Sequence, residues 1–275
     1  RQCVLFQNTH VQIQPVYPRN GAGSIKKTLT MTLGNFYVEY PASYGLLALF
    51  VWVFIAERND SSLTQRWMLS SWQIKHKKQF YRLLSSGFIH DGMVHLLLNG
   101  VGIYYFATTV ESLVGSAVTL CIFLFSVLGG SLFSLWMRRQ DSDYQALGAS
   151  GGVLGLLICA VMWFPEIRLG LMFIPIPVPG WIFCILFNWG SIVFSQTADR
   201  NRISHEGHLG GALFGGVVGY IFLQVFTGLS HEEGWVMQMP LEERVICLCC
   251  PSLLLCYLLG FRYSIDFRMR LIILL

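Results

Sequence analysis

Apolar runs long enough to cross a membrane, separated by short polar links, fill most of the chain between residues 41 and 226. A membrane-spanning helix needs about 20 mostly apolar residues. Only 12% of this chain is charged, against about 25% of a soluble domain. The sequence therefore predicts an all-α polytopic membrane protein. We expect six spans, over residues 41–56, 93–110, 116–136, 148–164, 178–194 and 205–226.

The predicted spans divide the chain into three parts. An extramembrane segment covers residues 1–40, a six-helix bundle covers residues 41–227, and a C-terminal segment covers residues 228–275. A seventh span over residues 245–261 stays open, because its length is at the lower limit for a membrane helix and Pro251 lies inside it.

Three prolines lie where the fifth span would begin, and each removes a backbone donor from a helix. We therefore expect this helix to start near Val178. The prolines are Pro175, Pro177 and Pro179.

Charge and cysteine usage exclude several functions. The formal net charge of +4 is small and spread along the chain, so it gives no basic surface for nucleic acid. Cys121, Cys159 and Cys184 lie inside apolar runs, where a thiol behaves as a small hydrophobe. The cysteines near the C-terminus lack the spacing and partner histidines of a zinc site. We therefore predict no disulfide framework and no metal centre.

Four polar residues lie near the starts of the second, fourth and sixth spans. Polar groups inside a bilayer are costly and usually face the bundle interior or a water-filled cavity. Successive spans alternate in direction, so these three starts lie on the same side of the membrane. The residues are His95, Asn99, Ser150 and His208.

Together these four residues include the groups that a serine nucleophile needs, namely a base and hydrogen-bond donors. A serine becomes a nucleophile when a base within hydrogen-bond reach takes its proton, and a neutral histidine is the usual base. His95 and Asn99 share one helix face and are candidate donors to an oxyanion, as is the amide of Ser150 at a helix start.

The positions of the glycines predict how Ser150 and His208 come close to each other. Gly148, Gly152 and Gly155 lie on the fourth span, and small residues allow membrane helices to approach closely. The sixth span carries a glycine at every fourth position, which forms one stripe along a helix face. We therefore expect the fourth and sixth helices to be in close contact, with Ser150 facing His208. The stripe is Gly207, Gly211, Gly215 and Gly219.

Each feature alone also has a simpler explanation. GASGG matches the nucleophile elbow of soluble hydrolases, but that motif needs a strand–turn–helix context, which we do not expect before a membrane span. A serine among glycines is otherwise a packing residue, and a single buried histidine is otherwise bonded to a carbonyl. The coincidence of these features on one side of the membrane favours catalysis.

These motifs resemble those of the rhomboid intramembrane serine proteases, over about residues 41–227. Residues 148–151 match the family's G-x-S-G motif, His208 with Gly211 and Gly215 matches H-x-x-G-x-x-x-G, and residues 95–99 match H-x-x-x-N. The family's Trp-Arg element appears as Tyr81-Arg82, and Glu111 followed by LVGS resembles the turn after the second helix. The chain departs from some members at Leu154, where they carry an aromatic that stacks on the histidine.

The resemblance implies an endopeptidase that cleaves single-pass membrane proteins in or beside their spanning segments. It implies Ser150 as nucleophile, His208 as base, and His95 and Asn99 at the oxyanion site, with no metal and no cofactor. The lipid bilayer is the implied surroundings, and the oligomeric state is not predicted. The compact core with short links slightly favours a bacterial inner membrane over a eukaryotic membrane.

Two alternatives remain at this level. One is a catalytically inactive rhomboid-like protein that binds membrane proteins and affects their trafficking or degradation. Such a protein would be expected to have lost the serine or the histidine. The other is a transporter or channel, which would be expected to show inverted repeats and charges deep in its spans. The sequence shows neither inverted repeats nor charges deep in its spans.

Overall fold

The structure is a computed structural model that describes residues 39–164, 167–171, 174–197 and 204–229. Most of these residues are helical, which fits an all-α membrane protein. Two helices among the described residues are long and apolar enough to cross a membrane, Pro41–Asn59 and the continuous run Met93–Met137. The candidate seventh span over residues 245–261 lies outside the described residues.

The first helix, α1 (Pro41–Asn59), begins with a proline at its first position, where the missing N–H removes no helical hydrogen bond. Short elements follow it in the polar connection before the next long helix. They are α2 (Ser62–Trp67), β1 (Leu69–Ser70), α3 (Ser71–Lys77), α4 (Arg82–Ser85) and a 3₁₀ turn at Ser86–Phe88.

The predicted second and third spans form one continuous run with a single break. The run consists of α5 (Met93–Gly102), a π-helical turn at Ile103–Ala107, and α6 (Thr108–Met137). The break is at Gly115, whose φ of 75° and ψ of 172° are not helical. Positive φ is accessible to glycine at little cost, so one residue is enough to separate the two spans.

The carboxylate of Glu111 joins this break to the start of α1. It accepts hydrogen bonds from the backbone amides of Ala42 and Ser43, both at 2.8 Å. It also accepts from the hydroxyls of Ser43 and Ser116, both at 2.6 Å. A negative charge at a helix N-terminus is favourable because the helix dipole is positive there. Glu111 therefore fixes α1 to the α5–α6 break.

The central helix is α7 (Ser150–Trp163), and every residue from Gly152 to Trp163 is buried. It ends just before Pro165, which cannot continue a helix without losing a hydrogen bond. With 14 residues it is shorter than the predicted fourth span. Its apolar surface is covered by neighbouring helices, so it forms the middle of the core.

The three prolines before the fifth span lie in a strand. Strand β3 (Arg168–Leu171) pairs antiparallel with β4 (Ile174–Pro179), and α8 (Gly180–Thr197) begins directly afterwards. The expected helix start near Val178 was therefore two residues too early. A proline can occupy the edge of a two-stranded sheet, where its missing donor faces away from the ladder.

The last described helix, α9 (His205–Leu229), packs against both α6 and α7. Its glycines meet α7 in matching order, because β-carbons built at Gly211 and Gly215 would overlap Gly151 and Gly155 respectively. The two helices therefore run parallel. His95, near the start of α5, contacts Gly148, and Gly102, at the end of α5, contacts Val153. Helices α5, α7 and α9 therefore all begin at the same end of the bundle, as the alternation of spans predicted.

Candidate active site

Ser150 is the first residue of α7 and follows a sharp turn. The two-residue strand β2 (Gln145–Ala146) pairs with β1 through Leu69↔Ala146 and Ser70↔Gln145. Gly148 then takes a φ of 119°, a conformation open to glycine. Its amide donates to the carbonyl of Ser86 at 2.8 Å. A short strand–turn–helix arrangement is thus present before Ser150, contrary to the expectation from sequence.

The side chains of Ser150 and His208 are in direct contact. Ser150 Oγ lies 2.7 Å from His208 Nε2, and His208 belongs to the first turn of α9 and is only 7% exposed. With Nε2 unprotonated, the histidine accepts the serine hydrogen, which is the arrangement of a nucleophile and its base.

Glycines in both helices make this contact possible. A β-carbon at Gly151 would lie 2.9 Å from the carbonyl oxygen of Gly207, and one at Gly211 would overlap the backbone of Gly151. The expected close contact between the fourth and sixth helices is therefore present. The expected roles of Gly148 and Gly152 in it were wrong, because Gly148 faces His95 and Gly152 faces Phe123 on α6.

His95 lies against Gly148, close to Ser150. A β-carbon at Gly148 would stand 2.8 Å from His95 Nε2 and 3.8 Å from Ser150 Oγ. His95 Nδ1 accepts from the amide of Asp91 at 3.4 Å. A neutral imidazole that accepts at Nδ1 carries its hydrogen on Nε2. The ring therefore directs an N–H donor toward the space beside Ser150.

Asn99 lies one turn after His95 on the same face of α5 and is 4% exposed. Its Nδ2 has no hydrogen-bond partner among the described residues. A buried amide without a partner is costly, and such groups often have a functional explanation. The structure thus brings an available donor to the same end of the bundle as Ser150.

Phe187, on α8, is a neighbour of His208 that the sequence did not indicate. The two ring centroids are 5.7 Å apart with an interplanar angle of 46°. Leu154, where some rhomboids carry an aromatic, is buried in the core. Phe187 is one of 20 phenylalanines in the chain, and its spacing from the motifs carries no signal. Only the packing of α8 against α9 brings it to the histidine.

A family model of the rhomboid domain matches residues 77–225 of the chain, which is more than half of it. The chain belongs to the rhomboid family.

Three curated rhomboid proteins illustrate the similarity. Rhomboid protein 1, mitochondrial, of Saccharomyces cerevisiae is 28% identical over 144 residues, covering 50% of this chain and 40% of that protein. RHOMBOID-like protein 12, mitochondrial, of Arabidopsis thaliana is 30% identical over 185 residues, covering 61% and 54%. Presenilin-associated rhomboid-like protein A, mitochondrial, of Danio rerio is 27% identical over 168 residues, covering 58% and 40%. The matched region is thus about half or less of each relative.

Membership of the rhomboid family makes this chain a multi-pass membrane protein. The comparisons give no support to the expected preference for a bacterial inner membrane. All three relatives are eukaryotic proteins, and their names assign them to mitochondria.

The arginine of the rhomboid Trp-Arg element has a structural role in this chain. Arg82 is 4% exposed, and its guanidinium donates to the carbonyls of Gln65 and Met68, both at 2.8 Å, and to Gln79 Oε1 at 2.7 Å. It therefore holds together the connection that supports β1. Tyr81, in place of tryptophan, is half exposed and donates to the carbonyl of Arg66.

A cavity of about 30 Å³ lies next to Ser150. That volume is enough to hold water, and five serines are among the residues that line it. The cavity therefore offers a partly polar space beside the Ser150–His208 pair. The serines are Ser86, Ser131, Ser134, Ser150 and Ser204.

Proposed function

We propose that this protein is an intramembrane serine endopeptidase that hydrolyses peptide bonds in or next to the spanning segments of membrane proteins. The observation that carries the proposal is the 2.7 Å hydrogen bond between Ser150 Oγ and His208 Nε2. A buried histidine in hydrogen-bond contact with a serine at a helix start is the arrangement that a nucleophile and its base require.

Hydrolysis proceeds in two halves. Ser150 Oγ attacks the scissile carbonyl carbon while His208 Nε2 takes the hydroxyl proton, and the same proton then passes to the leaving amine. This leaves an ester between Ser150 and the substrate. Water attacks that ester, His208 takes a proton from the water, and the new carboxylic acid leaves as Ser150 regains its hydrogen.

The developing oxyanion is held by donors around the start of α7. His95 Nε2–H, the amide of Asn99 and the backbone N–H of Ser150 are the proposed donors. Such donors stabilise charge that appears only in the transition state, so they accelerate the reaction instead of tightening substrate binding.

The short length of α7 supports our proposal of a site below the membrane surface. A helix of 14 residues is about 21 Å long at 1.5 Å per residue, against about 30 Å for the hydrocarbon core of a bilayer. In the six-span arrangement that we propose, α7 stands inside a ring of longer helices, and its first residue lies below the membrane surface. The serine-lined cavity supplies the water that hydrolysis requires.

The substrates we propose are single-pass membrane proteins. The carbonyls of a spanning helix are occupied by hydrogen bonds, so a stretch must unwind before Ser150 can attack. Substrates with glycine or proline near the cleaved bond are expected to react faster, because these residues weaken helices. A graded substrate series with no trend in rate would contradict this expectation.

The experiment that tests the function uses purified protein in detergent with a model single-span substrate. Wild type is compared with Ser150→Ala and His208→Ala, and fragments are located by mass spectrometry. Loss of cleavage in both variants supports the dyad, whereas equal cleavage by all three proteins overturns it. Labelling by a fluorophosphonate probe is read in parallel. A wild type that neither cleaves nor labels would favour the non-catalytic rhomboid-like alternative.

A further inference from the structure

Three hydroxyl groups form a chain at the end of the bundle where α7 and α9 begin. Tyr144 Oη lies 2.6 Å from Ser204 Oγ, and Ser204 Oγ lies 2.9 Å from Ser134 Oγ. Ser134 belongs to α6, Tyr144 directly precedes β2, and Ser204 directly precedes α9. The chain therefore connects three segments that are distant in sequence.

The donors in this chain follow from counting hydrogens, because each hydroxyl has one. Ser134 donates to the carbonyl of Gly130 at 2.8 Å, so it accepts from Ser204. Ser204 has then used its hydrogen, so Tyr144 must donate to it. Burial, followed by the nearby charge of Glu206, raises the pKa of Tyr144 to about 12, so the phenol keeps its proton at working pH.

Ser204 holds the turn that carries His208. Its Oγ accepts from the amide of Gly207 at 2.8 Å, and its backbone carbonyl accepts from the amide of His208 at 3.2 Å. This is the role of an N-cap residue, which satisfies amides that a helix start leaves without partners. The position of the His208 backbone therefore depends on Ser204.

Tyr144 is fixed in turn to the segment that presents Ser150. Its carbonyl accepts from the amide of Ser71 at 3.0 Å, which extends the β1–β2 pairing, and β2 leads directly to the Gly148 turn and Ser150. The Tyr144–Ser204 bond thus joins the segment before the serine to the cap of the histidine helix. A second link, from Arg138 Nε to Glu206 Oε1 at 2.7 Å, joins α6 to the same turn of α9.

We infer that Tyr144 and Ser204 are positioning residues that set the distance between Ser150 and His208. The inference rests on the proposed function. The hydroxyl hydrogens of Tyr144 and Ser204 are both donated within the row of three hydroxyl groups, so neither residue acts as an acid or a base. Their contribution is to restrict the relative motion of α7 and α9, and a small misplacement of reacting groups is enough to slow catalysis.

The test measures kcat and KM separately for Tyr144→Phe and Ser204→Ala, with the rate of fluorophosphonate labelling at Ser150. Each variant is expected to lower kcat and the labelling rate by about tenfold to a hundredfold, with KM within about twofold of wild type. Ser204→Thr, which keeps a hydroxyl, is expected to recover most of the rate. Tyr40→Phe is the matched control, because the Tyr40 hydroxyl bonds to Glu39 at the exposed start of α1.

The outcomes separate this inference from the proposed function. Unchanged kcat and labelling in Tyr144→Phe and Ser204→Ala, with an active wild type, overturn the positioning role and leave the protease intact. A wild type that is as inert as Ser150→Ala overturns both. A loss of kcat that follows the loss of thermal stability across all variants, Tyr40→Phe included, also overturns the inference, because it would show a general structural effect.

Discussion

The imidazole of His95 lies against Gly148 so closely that a β-carbon at position 148 would stand 2.6 Å from its Cε1. The same glycine has a φ of 119°, which side-chain-bearing residues rarely adopt. One residue therefore forms the turn before the serine and leaves room for a proposed oxyanion donor.

Gly148→Ala is expected to abolish cleavage, to below about 1% of the wild-type rate, because it strains the turn and displaces His95. The measurement is kcat on a model substrate. Gly45→Ala is the matched control, since nothing lies within 4 Å of a β-carbon at that position of α1. Activity near wild type in Gly148→Ala would contradict the proposed placement of His95.

Asn99→Ala is expected to lower kcat by about a hundredfold or more while changing KM little, as for the loss of an oxyanion donor. Asn99→Leu has nearly the same shape but carries no donor, so it should behave like alanine. Asn59→Ala, on the exposed end of α1, is the control. An active Asn99→Leu enzyme would show that a donor at position 99 is not needed.

Gly211→Ala is expected to destabilise the protein by about 2 kcal/mol, in the range measured for overpacked cores. The added methyl would lie 2.5 Å from the carbonyl carbon and Cα of Gly151, so α9 must move away from α7. Thermal unfolding in detergent measures the stability. The rate of probe labelling measures the reactivity of Ser150. Gly100→Ala meets only Leu47 Cδ2, at 3.6 Å, and should change neither. Equal stability of the two variants would contradict the close approach.

Acidification is expected to weaken the fold through His90, a buried residue in the connection before α5. Burial, followed by the neighbouring His95, lowers the pKa of His90 from 6.5 to about 4. Between these values the unfolded chain binds a proton that the folded protein does not. Stability from this residue is thus complete above about pH 6.5 and falls as the pH drops toward 4, by on the order of 3 kcal/mol.

The test compares the unfolding midpoints of wild type and His90→Phe from pH 8 to pH 4.5. Phenylalanine does not titrate and suits the apolar side of the pocket, where the His90 ring centroid lies 5.0 Å from that of Phe50. The unfolding midpoint of His90→Phe should fall less between pH 8 and pH 4.5 than that of wild type, whatever the stability of the variant at pH 8. Parallel curves for the two proteins would contradict the assignment to His90.

Several features of the fold and the site were predictable because they depend on local patterns. The lengths of apolar runs predicted a membrane protein and the order of its helices, because a bilayer sets the length of a helix that crosses it. The alternation of spans predicted that α5, α7 and α9 begin together. The four-residue repeat from Gly207 to Gly219 predicted a close helix contact, because that spacing keeps residues on one face.

Other features depended on tertiary packing. The strand before Ser150 exists only because Leu69 and Ser70 supply a partner for it. The prolines before α8 gave a reason against a helix, but the strand that they form needs Arg168–Leu171 as its partner. The β1–β2 contact joins segments that are far apart in sequence, whereas only two residues separate β3 from β4.

The sequence by itself thus determined which residues are available for chemistry and at which end of the bundle they lie. Hydropathy, spacing and motif order can be read from neighbouring residues, because the preference of a segment for water or lipid depends mainly on its own side chains. Only the tertiary structure decided that Gly148 faces His95, that Phe187 approaches His208, and that Tyr144 bonds to Ser204. These contacts are set by how whole helices pack, and packing depends on the shapes of many side chains at once.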